Sequence, residues 1–414
     1  MYNQHPGRLA SLEDEPHSAE QRRRTMSVTE NEIKSASQAN SHTEEMLEAV
    51  CAVARAREVT AVPAGKTRVA VLMSGGVDSS ATAYLLKEQG YDVVGVTGWL
   101  IKSGSRCCDT GMIDAARVCE QLGVDHHAVD LRELFKTQII DDFHQSYARA
   151  RTPLPCSLCN TVIKWGALMN YGRKILGAEY IATGHYGRIQ EIDGQIRLAR
   201  ALDPKKDQSY VLWGLTLDQL KHTLLPLGDY TKDQIRAIAG DAQLTTANRP
   251  DSQDLCFIPM NKTPQEYLAG FLPELPGPIL HALTGDLMGE HKGTHNFTIG
   301  QRRGINISHK EPLYVTSIDP DMRIVYVGPK EALLRRELTA SFMNWMLEAP
   351  PVEPFRAQVK IRYNSPTAPA LVTPLPDLKV SVVFDDPQPA ITPGQVLGIY
   401  DLSDAYIIGG GWID

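Results

Sequence analysis

The stretch Val69-Ala-Val-Leu-Met-Ser-Gly-Gly-Val-Asp-Ser-Ser80 constrains the fold more than any other part of the chain. A short apolar run, 69–73, stops at a Ser-Gly-Gly-x-Asp-Ser-Ser loop. A helical pattern begins at once, carrying Ala81, Tyr84, Leu85 and Leu86 before Gly90. Strand, glycine turn and helix start in direct succession make an anion-binding geometry. Glycine lets backbone N–H groups approach an anion closely, and the first helical turn adds positive potential. Ser74, Ser79 and Ser80 supply hydroxyl donors. The loop is not a Walker A motif, because no G-x-x-x-x-G-K-[ST] occurs. The bland alternative is an ordinary Gly-Gly turn, and Asp-Ser-Ser at the helix start argues against it.

From residue 67 onward strands and helices alternate. Strand 69–73 leads to helix 78–89, and strand 92–97 to a Gly/Ser/Cys loop and helix 112–122. Strand 127–130 leads to helices over 131–148 and about 160–175, and strand 180–183 runs into Gly184-His185-Tyr186. This alternation predicts an α/β fold with a doubly wound parallel sheet. Ligands bind at the C-terminal ends of such strands, so the Gly-Gly loop, the Cys107-Cys108 loop and the Gly184-His185 turn should share one rim. After about 225 the pattern changes. A helix is expected over 232–239, then a Pro/Gly-rich stretch over 273–304. Short strands over 314–318, 324–327, 357–363 and 379–384 predict a C-terminal β-barrel. The expected division is an extension over 1–65, disordered apart from a helix at 43–58, and a catalytic domain over 66–263. A small central domain over 264–341 and the β-barrel over 342–414 follow, with 225–245 assignable to the catalytic or the central domain.

Charge narrows the classes of partner. With 42 Lys and Arg against 49 Asp and Glu, the net charge is −7, which argues against a generally basic nucleic-acid binder. A local basic surface needs only a few placed cations, and Lys205-Lys206, Arg302-Arg303, Arg335-Arg336 and Lys360-x-Arg362 are candidates. No run of 18 apolar residues occurs, so no membrane span is expected. No apolar signal region is found near the N-terminus, and Glu13, Asp14 and Glu15 do not suit an organellar address. Seven cysteines without a secretory signal point to a reducing, cytoplasmic setting.

The cysteines group suggestively. In Arg151-Thr-Pro-Leu-Pro-Cys-Ser-Leu-Cys-Asn160 two prolines set an extended approach to Cys156-x-x-Cys159, with Lys164 on the helix that follows. A helix start and a nearby lysine favour thiolate, so both are candidate reactive groups. A third, Cys256, lies in Asp251-Ser-Gln-Asp-Leu-Cys-Phe-Ile-Pro259. Reactive thiols, a structural zinc site and inert buried thiols all remain open on these residues alone.

The glycine loop resembles the pyrophosphate-binding loop (PP-loop) of ATP pyrophosphatases. The chain from Val69 to Trp412 further resembles the tRNA-specific 2-thiouridylase family. The resemblance runs through Ser74–Ser80, Cys159-Asn160, Ala182-Thr-Gly-His-Tyr186, Lys206-Asp-Gln-Ser-Tyr210, Asp251-Ser-Gln, Cys256-Phe, Thr298-Ile-Gly-Gln, Glu311-Pro-Leu-Tyr-Val, Lys360-x-Arg-Tyr363, Thr392-Pro-Gly-Gln395 and Gly409-Gly-Gly411, in order. It implies ATP-dependent 2-thiolation of the wobble uridine of tRNA, with magnesium. ATP would meet Leu72, Met73, Ser74, Gly75, Gly76, Val77, Asp78 and Ser79, with Gly98 and Gly184 lining the site. Cys159 matches the nucleophile and Cys256 the persulfide carrier. Leu154, Pro155 and Cys156 match the segment that meets the target base. His185, Lys206, Asp207, Gln208, Arg362, Tyr363 and Gln395 match tRNA-contacting positions. The implied partners are Lys, Glu and Gln tRNAs and a persulfide donor such as a cysteine desulfurase or sulfur-relay protein. One departure stands out: the family's Asn-Pro-Asp-x-x-Cys reads Leu-Pro-Cys156-Ser-Leu-Cys159 here, so a thiol replaces a carboxylate. Cys156, Cys159 and Cys256 are therefore also candidate ligands of an iron–sulfur cluster, since thiolates are the ligands such clusters choose. Two rivals remain: a small-molecule PP-loop ligase resembling argininosuccinate or GMP synthetase, and a non-catalytic RNA-binding module.

Overall fold

The computed structural model describes residues 62–101, 110–251, 255–259 and 261–414. The expected helix at 43–58 and the Cys107-Cys108 loop lie outside the described residues. The first strand, β1 (Arg68–Leu72), is buried along its whole length. Val69, Ala70 and Val71 are fully buried, as expected of a parallel strand covered on both faces. Around it run β2 (Asp92–Trp99), β3 (His126–Asp130) and β4 (Tyr180–Ala182).

Two strands then leave this sheet. They are β5 (Arg188–Ile192) and β6 (Gln195–Ala199), joined through Asp193 and Gly194 at φ 52° and 73°. Two successive left-handed residues match the twist of a tight hairpin, and Asp-Gly is the pair that tolerates them. The chain then returns as β7 (Thr223–Leu224), giving a five-stranded sheet in the order β3-β2-β1-β4-β7 with every pairing parallel. The doubly wound α/β class expected from the sequence is the one observed.

The helices Val77–Glu88 and Gly111–Leu122 close one face. Val77, Ala83, Leu86, Ala115, Val118 and Leu122 pack there on Val69, Val71 and Val93. Burial in this layer pushes the Cys119 thiol up to about 12, so it stays protonated and apolar. The helix Lys232–Asp241 belongs to the same layer, because Ala239 and Leu244 join that core and Ile235 packs with Ala81. The segment 225–245 thus sits with the parallel sheet and not with the central strands.

Two long helical runs lie between β3 and β4 in the chain, and each contains a π-helical stretch, Lys136–Ile140 and Asn160–Leu168. The second run starts at Pro155, earlier than expected. Proline is suited to the first helical position because its missing N–H would be unpaired there anyway. The Cys-x-x-Cys pair therefore lies on the helix and not ahead of it.

The Pro/Gly-rich stretch is more ordered than its composition suggests. It holds β8 (Gly277–His281) and β9 (Leu287–His291), which join β10 (Tyr314–Asp319) and β11 (Ile324–Gly328) in the order β10-β11-β8-β9. Ile279, Phe297, Val315, Val325 and Val327 form their core. The last six strands are β12 (Leu334–Trp345), β13 (Phe355–Lys360), β14 (Ala368–Leu375), β15 (Lys379–Pro389), β16 (Val396–Tyr400) and β17 (Tyr406–Ile413). They close into a barrel through the β12–β17 pairing, around Val359, Val372, Val382, Leu397 and Ile399. β12 spans the expected junction at 341/342 and pairs within the barrel on both sides of it. The hairpin β5–β6 extends the barrel sheet, with Tyr406 opposite Ala199 and Ile407 opposite Leu198.

Candidate active site

The loop after β1 is held by its own hydroxyls. The Ser74 amide donates to Ser79 Oγ at 3.2 Å, and the Ser79 and Ser80 hydroxyls donate to the Gly76 carbonyl at 3.1 and 2.9 Å. Ser80 is fully buried, so it braces the turn and does not face a ligand, whereas Ser74 is exposed. Gly75 sits at φ 73°, and a Cβ there would lie 2.1 Å from the Gly111 carbonyl oxygen, so only glycine fits. Gly184 is pressed against the same helix start, where a Cβ would lie 2.9 Å from Asp78. Leu72 and Met73 are buried beneath the loop. Gly98 packs toward Leu100, Leu131 and Leu168 and is not among the cleft-lining residues.

A cleft of about 1140 Å³ opens over this loop. The loop contributes Ser74, Gly76, Val77 and Asp78; the Pro155 helix contributes Cys156 and Lys164; the segment around Cys256 contributes Leu255, Ile258 and Pro259. His185, Lys205, Lys206 and Gln208 line it from the turns after β4 and β6, and Tyr363 and Asn364 reach in from the barrel. Leu154 also lines it, while Pro155 is buried as the first residue of the helix. Cys159 lies three residues beyond Cys156 on the same helix, half-buried, and Cys256 is exposed.

An ion-pair chain unforeseen in the sequence lies behind the cleft wall, with Asp78, Asp251 and Lys206 on the lining. Lys232 Nζ donates to both Asp78 carboxylate oxygens, at 2.7 and 2.8 Å, and lies 2.9 Å from Asp251. Tyr186 donates its hydroxyl to Asp78 at 2.8 Å. Asp251 also takes Lys206 and Arg236, each at 2.8 Å. Burial alone would raise the Asp251 carboxyl, but the bonds from Lys206 and Lys232 overcome it and hold it at about 2. The signal for Lys232 was local: Thr231 and Gln234 form a reciprocal capping box, which fixes Lys232 at the first helical position. Arg249 closes the neighbouring edge, donating to the Gly75 carbonyl at 2.8 Å and pairing with Asp114.

His185 Nε2 lies 3.1 Å from Lys164 Nζ, and its Nδ1 lies 2.8 Å from Thr183 Oγ1. An ammonium can only donate, so Nε2 accepts and Nδ1 carries the proton. Burial, reinforced by Lys164, holds the imidazole pKa well below its usual value and keeps it neutral. Cys156 is exposed to solvent at the cleft, yet the protein atoms around its base desolvate the thiol enough to raise it, with Lys164 pulling the other way. The expected thiolate activation at this helix start is therefore opposed by the cleft walls.

Not every expected contact residue faces the cleft. Asp207 is buried, with its oxygens taken by Arg200, Ser209 and the Ala201 amide. Its charge is spent on shaping the loop. Arg362 donates to the Ile299 carbonyl at 2.9 Å and bonds Thr392, and Gln395 donates to the Thr152 carbonyl at 2.8 Å. Both tie elements together around the cleft. Among the described residues no three His, Cys, Asp or Glu side chains are grouped as metal ligands.

A parallel α/β sheet with a glycine loop on its rim, followed by a small central β domain and a closed barrel, defines a HUP-type enzyme with two appended β domains. The tRNA methyl transferase HUP domain family matches residues 67–260, the tRNA methyl transferase PRC-barrel domain 265–329 and the aminomethyltransferase beta-barrel domain 335–413. The tRNA-specific 2-thiouridylase MnmA of Microcystis aeruginosa is 48% identical over 348 residues, covering 84% of this chain and 98% of that protein. Its counterpart in Gloeothece citriformis is 46% identical over 349 residues, covering 84% and 99%. The chain belongs to the tRNA-specific 2-thiouridylase family. The solved U34-tRNA thiolase NcsA from Methanococcus maripaludis with its [4Fe-4S] cluster aligns at a TM-score of 0.31 and 20% identity, over 51% of this chain and 67% of that one. That likeness is too loose to inform the chemistry.

Proposed function

We propose that this protein thiolates the wobble uridine of tRNA at carbon 2, using ATP and a cysteine persulfide. The observation that carries the reading is the single cleft that gathers an anion-binding glycine loop, Cys156, the Cys256 segment and two barrel residues. A small-molecule ligase needs the loop but neither the cysteines nor a barrel wall.

The uracil O2 attacks the α-phosphorus of ATP and pyrophosphate leaves, turning a poor leaving group into AMP. The loop amides and the Val77–Glu88 helix start stabilise phosphate charge as it moves. Magnesium bound with the nucleotide would add further neutralisation; of the cleft carboxylates, Asp78 is already paired with Lys232 and Tyr186 and Asp251 with Lys206, Lys232 and Arg236. The terminal sulfur of a Cys256 persulfide attacks carbon 2 and AMP departs. The Cys159 thiolate then attacks the inner sulfur, leaving sulfur on the base and a Cys159–Cys256 disulfide that an external reductant reopens. Cys156, where a carboxylate stands in relatives, is raised and protonated, so proton handling passes to the Lys164–His185 pair beside it. Lys206, Gln208 and Tyr363 face the entering nucleoside, which must leave its stack to reach the cleft. Asp207, Arg362 and Gln395 act from behind by fixing the walls.

The test is thiolation of unmodified Lys, Glu and Gln tRNAs with ATP and a persulfide donor, read as 2-thiouridine by mass spectrometry. Product with ATP and none without it is expected. AMP release stimulated by a small acid or amide, with no thiolated tRNA, would favour the ligase.

A further inference from the structure

Folding gives the two cations of Lys360-x-Arg362 different surroundings. Ile361 turns into the barrel core, and its neighbours Lys360 and Arg362 turn away from it. Arg362 is taken up by Ile299 and Thr392. Lys360 is half-buried, and its Nζ makes no hydrogen bond or ion pair among the described residues. It lies over two tyrosine rings instead, 5.6 Å from the centroid of Tyr210 and 5.9 Å from that of Tyr363. The carboxylates in its field are already engaged. Arg200 pairs with both Asp207 and Asp404, Ser209 donates to Asp207, and Thr367 donates to the other Asp404 oxygen. Burial and the Arg200 guanidinium hold the Lys360 pKa below the ordinary lysine value. An ammonium that has lost water and faces only ring π-clouds gains most from an anion. Tyr363 shows where that anion comes from. It lines the cleft and is 37% exposed, whereas Tyr186, also on the lining, is 2% exposed with its hydroxyl held by Asp78. The Tyr363 hydroxyl also feels Lys206, so the ring has one cation near it from the barrel and one from the catalytic domain.

We propose that Lys360 binds a phosphodiester of tRNA beside the extruded nucleotide, whose base meets Tyr363. The phosphate supplies the counter-ion that Asp207 and Asp404 do not, and Lys206 takes a second phosphate from the opposite domain. Of the Lys360-x-Arg362 pair, the lysine reads the RNA backbone and the arginine holds the wall. The proposal rests on the tRNA-binding part of the function proposed above.

The test is acetylation of Lys360 by acetic anhydride, read by peptide mass spectrometry on the full chain alone, with unmodified Lys tRNA, and with α,β-methylene-ATP. Saturating tRNA should slow the acetylation about fivefold or more, and the analogue should leave it unchanged. Filter binding across a salt series adds a readout that loss of packing does not move. Lys360→Gln should lower tRNA affinity about tenfold at low salt and reduce the salt slope by about one unit. Lys360→Arg should keep the slope, and Lys360→Gln combined with Lys206→Ala should reduce it by about two units. Analogue affinity by calorimetry should be equal in the Lys360→Gln, Lys360→Arg and unsubstituted proteins, which also shows that the variants fold. If Lys360→Gln does not fold, acetylation of the unsubstituted protein decides alone. Bound tRNA that leaves Lys360 acetylation unchanged would overturn the proposal, as would a folded Lys360→Gln protein with the unsubstituted slope. Protection by the analogue and not by tRNA would assign the anion to the nucleotide and overturn it as well. Failure of the unsubstituted protein to bind tRNA at all would remove the tRNA reading and this subsite together.

Discussion

Lys164 donates to His185 across 3.1 Å, and the bond fixes which ring nitrogen of His185 carries the proton. A buried, neutral imidazole next to an ammonium makes a specific demand on pH. The folded-state pKa of His185 is depressed, so between that value and the ordinary 6.5 the unfolded chain binds one more proton than the folded one. Stability from this group is complete above about 6.5 and is lost as pH falls, by at most about 1.4 kcal/mol per pH unit. His185→Gln should flatten the stability profile between pH 6.5 and 5 in urea titrations, relative to the unsubstituted protein. Parallel profiles would show that His185 titrates freely.

Asp78→Asn should abolish AMP release. It should also cost stability, of the order of 2 kcal/mol, because Lys232 loses its principal charge partner while 8% exposed. Thermal melting beside an AMP-release assay checks both halves. Undiminished AMP release from a folded variant would remove Asp78 from the nucleotide site.

The three cysteines should separate by function. Cys159→Ser and Cys256→Ser should each eliminate thiolation, while AMP release survives. Cys156→Ser should retain a measurable fraction of thiolation, because its raised, protonated thiol is not a member of the relay. Equal, complete loss in all three, with iron found in anaerobic protein, would instead mark them as one cluster-binding unit.

Lys206 and Arg362 should weaken tRNA binding in different ways. Lys206 lines the cleft and is 35% exposed in its side chain, so Lys206→Ala should remove a phosphate contact and lower the salt slope by about one unit. Arg362 is turned inward to Ile299 and Thr392. Arg362→Ala should lower affinity with the slope nearly unchanged, since it alters wall geometry and not charge contact. Filter binding across a salt series distinguishes the two, and identical slope changes would place Arg362 on the RNA.

Local signals predicted local structure well. The strand–glycine–helix succession at Val69–Ser80 needs no distant partner to be recognised, and the parallel sheet follows from repeating such units. What escaped the sequence depended on distant pairing. Asp207 looks like a surface charge beside Lys206, yet Arg200 neutralises it and is itself held by Asp404, 204 residues further on. Lys232 sits in an unremarkable capped helix, and its meaning depends on Asp78 and Asp251 meeting it in space. The hairpin β5–β6 went unread: Asp193-Gly194 is its turn signal, but its short, half-polar strands give little periodicity until the barrel lies beside them. The strands in 273–304 were hidden in the same way by the composition of their turns.

The pairing of Ala199 with Tyr406 makes the barrel's outer edge a product of two distant stretches of chain. A truncation after residue 334 would leave β6 with a bare edge, so that piece should self-associate, whereas the excised barrel stays closed through β12–β17 and uncovers only Tyr406 and Ile407. Grafting this barrel onto a relative, or a relative's barrel onto this protein, would have to carry residues 188–199 along with it. What counts as the exchangeable module is therefore discontinuous in sequence, and its seams lie inside the catalytic half of the chain.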